Sequence, residues 1–129
     1  MRLRKNMTRQ EIEAYILNEY GISPEYPFEM DDLTAVYRHT DNKKWFAIVM
    51  RISKRRLNID SDGEIDVMNV KCEPAVIGSF LMEEGFYPAY HMNKTHWITI
   101  APEADEHHVK LLIDMSFSLT RTKRKKAKK

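Results

Sequence analysis

Three features of the sequence predict an α+β domain whose antiparallel β-sheet is flanked by helices. A capping box opens an amphipathic run at residue 8, turn-separated apolar segments lie between residues 34 and 71, and an acid-led helical repeat follows residue 102. Thr8 and Glu11 stand three apart, the spacing at which each side chain satisfies the other residue's free backbone N–H. Ile12, Tyr15, Ile16 and Tyr20 recur at helical spacing, and Gly21 supplies a stop, so the first helix is expected over Arg9 to Tyr20. Pro24 and Pro27 make the next segment extended and irregular.

Thr34 to His39 reads as a strand, Asp41-Asn42-Lys43 as a turn, and Trp45 to Ile52 as the hairpin partner. Ser53 to Asn58 is a polar, basic connection. Asp60-Ser61-Asp62-Gly63 is a second turn before a strand over Ile65 to Lys71, which sets Ile65, Val67 and Asn69 against Asp66, Met68 and Val70. Pro74 suits a first helical turn, so Ala75 to Met82 is expected as a short helix ended near Gly85. Phe86 to His96 has no clear period and is read as loop or the start of a strand. Trp97 to Ala101 is a strand. Glu103, Asp105 and Glu106 then lead a last helix with Val109, Leu112, Ile113 and Ser116 toward the core. The expected order is α-β-β-β-α-β-α, with room for one further strand.

The chain has 129 residues, enough for one core. No apolar run approaches the roughly 18 residues that span a bilayer, and no apolar stretch follows the basic start, so neither a membrane role nor a secretory leader is expected. A lone cysteine, Cys72, provides no internal disulfide and suits a reducing cytoplasm. The net charge of +2 conceals unlike parts. Residues 121–129 hold seven cations and no acid, among them Arg121, Lys123, Arg124, Lys125 and Lys126. Residues 6–120 carry eleven cations against nineteen acids, a net −8. We therefore expect a flexible start over 1–7, one domain over 8–120, and a disordered basic tail over 121–129.

Within the domain, Arg51, Lys54, Arg55 and Arg56 form the densest cation cluster, joined as candidate phosphate contacts by Lys43, Lys44 and Lys94. The same cluster also reads as a solvated connection that deters edge pairing. His91, Asn93, Lys94, His96 and Trp97 gather polar groups beside an indole. A tight loop over Tyr90 to Lys94 would let the Lys94 ammonium meet a phosphate while an aromatic ring stacks on a base. The alternative is that the amide and imidazoles satisfy local backbone groups and Trp97 fills core.

Catalytic and metal chemistry find little material. Adjacent His107 and His108 point about 100° apart on a helix, no H-E-x-x-H or C-x-x-C spacing occurs, and Asp60 to Glu64 is too short for a calcium loop. Cys72 lies just before a helix start, where a thiol can be activated, although an inert buried cysteine is the commoner case. No G-x-S-x-G and no glycine-rich phosphate loop is present.

The blocks Asn69-Val-Lys-Cys-Glu-Pro74, Gly85-Phe-Tyr-Pro-Ala-Tyr-His-Met-Asn-Lys-Thr-His-Trp97 and Leu112-Ile-Asp-Met-Ser-Phe117, with the Lys43-Lys44-Trp45-Phe46-Ala47 hairpin, resemble the MmcQ/YjbR family. The likeness covers roughly residues 7 to 120 and leaves out the basic tail. It implies a compact α+β fold with a double-wing motif, commonly labelled DNA-binding, with no enzymatic activity and no cofactor. DNA is thus the partner that the resemblance implies. A protein or small-ligand partner held by the His91–Trp97 segment is the alternative.

Overall fold

The computed structural model describes residues 6–29 and 31–123. Helix α1 (Arg9–Tyr20) leads to strands β1 (Ala35–Arg38), β2 (Trp45–Ser53) and β3 (Glu64–Lys71), then to helix α2 (Pro74–Leu81), strands β4 (Phe86–Pro88) and β5 (Trp97–Ile100), and helix α3 (Glu106–Thr120). The fold is α+β as expected. The further strand is β4, cut from the segment without a period. Asn6, placed by sequence in the flexible start, forms an isolated bridge with Asp105, and Met7 is buried.

All five strands pair antiparallel in one sheet of order β1-β2-β3-β5-β4. Alternation along the strands gives the sheet two covered faces. Val49, Met68, Val70 and Ile100 join the main core with Ile12 and Ile16 of α1 and Val109, Leu112 and Ile113 of α3. Their neighbours Ile52, Val67 and Ala101 point the other way, into a smaller cluster closed by Leu57. Leu57 belongs to a 3₁₀ helix over Lys54–Leu57, which folds back under the sheet after β2. The basic connection of the sequence is therefore a structured lid on the second face.

Local signals set the helix ends. The Thr8–Glu11 capping box forms in both directions, and Gly21 takes the left-handed conformation with φ of 67°. Gly85, ahead of β4, has φ of 92°, and a Cβ there would lie 2.4 Å from the Ala104 backbone nitrogen, so only glycine fits. The two long helices are clasped at Asp114, whose carboxylate accepts the Tyr15 hydroxyl at 2.9 and 3.0 Å and also the Tyr20 hydroxyl. The Tyr20 ring stacks on Phe117 at 3.9 Å. Burial first, and this carboxylate second, raise both phenol pKa values.

Helix α3 is tied to the sheet by buried polar groups. The β1–β2 register shifts between Tyr37 and Arg38, and the fully buried Ser116 hydroxyl donates to the Phe46 carbonyl at 2.6 Å while accepting the Lys71 N–H at 2.8 Å. One turn on, the Thr120 hydroxyl donates to the Ser116 carbonyl at 2.7 Å, and His39 Nε2 donates to Thr120 Oγ1 at 2.8 Å. The His39 ring lies 4.3 Å from the Phe117 ring.

Burial lowers the His39 pKa more than the Asp41 charge restores it. The unfolded chain therefore takes up this proton at a higher pH than the folded chain does. Stability from this group is full above the unfolded histidine value, roughly 6.5, and is lost as pH falls from there toward the lowered folded value. Urea midpoints should drop between pH 7.5 and pH 5.5, and His39→Gln should flatten part of that drop; a variant with an unchanged pH profile would refute the assignment.

Candidate functional site

The second face of the sheet carries the residues of interest because a loop is pinned across it. Asn69 of β3 and Thr99 of β5 are direct cross-strand partners, and both are fully buried. The Tyr90 N–H donates to Thr99 Oγ1 at 2.8 Å, the Thr99 hydroxyl donates to Asn69 Oδ1, and Asn69 Nδ2 donates to the Tyr90 carbonyl at 2.8 Å. The three residues close a ring in which both backbone groups of Tyr90 are satisfied. Buried polar groups demand such partners, so the ring fixes where the chain leaves β4. Ala89, beside it, is fully buried.

Asn93 closes the rest of the loop. Its side-chain oxygen accepts the Thr95 N–H at 2.8 Å, and its carbonyl accepts the N–H groups of His96 and Trp97 at 3.2 and 2.9 Å. The His96 carbonyl then accepts the Cys72 N–H at 2.8 Å, which extends the β3–β5 ladder by one step. Asn93 is thus a turn-former. Trp97 is half-buried opposite Lys71, and the His96 side chain is exposed. His91 adopts φ of 56°, a conformation costly for a residue with a Cβ and held here by the pinned Tyr90 backbone.

Between this loop and the 3₁₀ lid runs a cleft of about 270 Å³. Arg56 and Asn58 line one wall, His91 and Lys94 the other, with Tyr87 and Tyr90 between them. The two tyrosines pack against the smaller core cluster, and the Tyr87 hydroxyl donates to Glu103 at 3.0 Å, so the floor is rigid. The Tyr90 and His91 rings lie 4.1 Å apart at 59°. The cleft offers two cations, an imidazole and aromatic surface to one ligand.

The other candidate cations are placed differently. Arg51 is held by Asp66 through two bonds of 3.1 Å, which raise its already high pKa. Arg55 pairs with Asp60 at 3.3 Å and Asp62 at 2.9 Å. Lys54 is half-buried at the start of the lid and does not line the cleft. Lys43 and Lys44 precede β2, and the lid follows it, so the nine-residue strand separates them by about 30 Å. Arg121 and Lys123 are exposed beyond α3, and the tail cations Arg124, Lys125 and Lys126 lie outside the described residues. Among the described residues, neither Arg56 nor Lys94 has an ion-pair partner. Sequence reasoning singled out Arg56 and Lys94 separately. It missed Tyr87 and Asn58, which carry no signal until the lid and the loop meet.

Cys72 is buried beneath the sheet, and burial, helped by Glu73, pushes its thiol up to about 11. A thiol so set is protonated at neutral pH and a poor nucleophile. Among the described residues, no three His, Cys, Asp or Glu side chains converge, and no helix is long and apolar enough to cross a membrane.

Thr99→Val keeps the volume but orphans the Tyr90 N–H and the Asn69 oxygen. The expected outcome is a loss of about 1–3 kcal/mol in urea unfolding, with hydrogen exchange accelerated more at the Tyr90 amide than at the amides of β5. An amide protected as in the parent would contradict the ring.

The chain is 40% identical over 117 residues to the Bacillus subtilis protein YyaQ, covering 89% of this chain and 99% of that one. A crystal structure of a protein from Pseudomonas syringae superposes with a TM-score of 0.86 at 40% identity, over 89% of this chain and all of that chain. A Deinococcus radiodurans protein with a DUF419 domain matches with a TM-score of 0.65 at 19% identity, over 91% of this chain and 81% of that one, a likeness of fold. The sequence pattern of the YjbR family matches residues 17–119, and the chain therefore belongs to the YjbR family.

Proposed function

We propose that this protein is a non-enzymatic nucleic-acid-binding module of the reducing cytoplasm, which makes weak, largely sequence-independent contacts to the phosphate backbone. The observation that carries this reading is the meeting of Arg56 and Lys94 across one cleft, on a body that is otherwise acidic. Two cations brought together without carboxylate partners form a local positive site that a net charge of −8 hides.

The basic tail adds long-range attraction in this reading. If all seven cations of residues 121–129 engaged duplex phosphates, they would contribute a slope of roughly −6 to a log–log plot of affinity against salt. The cleft adds about −1 per cation engaged. A second reading is supported by the concave shape of the cleft: a small anionic ligand held by Arg56, His91 and Lys94.

Duplex binding by the full chain, measured across salt, separates the contributions. Arg56→Ala with Lys94→Ala should shrink the slope by about 2 and weaken binding at every sequence tested alike. Truncation after Lys123 should leave that difference intact. An unchanged slope in the double variant would remove the cleft from the interface. No detectable binding by the full chain at low salt would refute the reading and leave the small-ligand alternative.

A further inference from the structure

We infer that the cleft selects unpaired over paired nucleic acid, taking one splayed nucleotide with its phosphate on Arg56 and Lys94 and its base against Tyr90 and His91. This rests on the nucleic-acid reading and specifies the form of the partner. A cleft of about 270 Å³ falls just below the roughly 300–1,000 Å³ common for small-molecule pockets, a size that suits one nucleotide rather than a larger ligand. A duplex can reach the Arg56 and Lys94 cations with its backbone, but its paired bases cannot enter the cleft. Paired bases show side chains only their edges, with their ring faces covered by the stack, whereas an unpaired base offers a face to an aromatic ring.

A surface built only for duplex backbone would need cations and polar donors. Here the cations flank two tyrosines whose rings are already ordered against the core cluster. Tyr90 is held on both sides of its backbone by Thr99 and Asn69, and its side chain packs on the smaller core cluster, so little of it has to be ordered on binding. His91, next to it, is kept in the left-handed conformation at the rim, which turns the chain between Tyr90 and Lys94. A pre-set aromatic between two cations is the combination that single-strand binders use, with sequence tolerance because every base has a ring face.

The test uses the full chain and two fluorescent probes of equal length, an oligothymidine of about ten nucleotides, within the roughly 4–16 that such sites cover, and a duplex. At one moderate salt concentration the single strand should bind at least about tenfold more tightly. Tyr90→Leu retains apolar packing while removing the ring, and should cost the single strand roughly five- to 150-fold in affinity, the equivalent of one stacked base, with duplex affinity little changed. Hydrogen exchange at the Thr99 and Asn69 backbone amides in that variant checks that the fold persists. Tyr87→Leu serves as a second variant if Tyr90→Leu unfolds. Equal affinity for both probes, or a single-strand affinity indifferent to both ring removals, overturns the inference while the backbone reading stands. Failure of both probes to bind overturns the backbone reading and this inference together.

Discussion

The ring of hydrogen bonds among Asn69, Thr99 and Tyr90 is the constraint on which the second face of this protein depends. Two small polar side chains in the centre of an apolar sheet would be costly alone, since each buried unsatisfied group costs about 1–3 kcal/mol. Their cross-strand register lets one donor–acceptor chain close through a single backbone residue. Pairing β3 with β5 and placing the loop after β4 thereby become one event. The position of the loop wall of the cleft, with His91 in its left-handed conformation next to the pinned Tyr90 backbone, follows from that event.

The first face obeys the same logic with different parts. Ser116 spans the Phe46 carbonyl and the Lys71 N–H where the register shifts, and Thr120 with His39 closes the end of α3 over the hairpin. Both faces thus use buried hydroxyls to bind a covering segment to sheet backbone. The apolar contacts supply most of the stabilisation, and the hydroxyls fix which residue covers which strand.

Charge is sorted on the same scaffold. Asp66 takes Arg51 and, at 3.5 Å, Arg9, while Asp60 and Asp62 hold Arg55. Exposed pairs of this kind contribute little to stability, about 0–1 kcal/mol each. Their larger effect is to cancel cations that a count along the chain would assign to a basic patch. Arg56, adjacent to Arg55 but turned toward the loop, escapes that cancellation. The family resemblance and the acidic body are compatible on this account, because the cationic site is small and is assembled from two segments. Helix α1 was legible to its last residue because its ends are local chemistry, Thr8 with Glu11 and then Gly21. The face of α3 was legible from its period. Strand β4 was not, since three residues between Gly85 and the buried Ala89 have no room for alternation and their pairing with β5 is decided by distant contacts. Asn69, polar between Met68 and Val70, was the visible sign of the ring, but its partners cannot be read from spacing. The cleft was illegible for the same reason: Arg56 and Lys94 meet only when the lid and the loop fold onto one face.

A chemical-shift titration of the isotope-labelled full chain with a short oligonucleotide tests the central claim most directly. The account predicts that the largest changes in residues 6–123 fall at Arg56 to Asn58 and Tyr87 to Lys94, with the Asn69 side-chain amide shifting alongside them. Changes confined to Lys43 and Lys44, or to residues beyond Thr120, would contradict it.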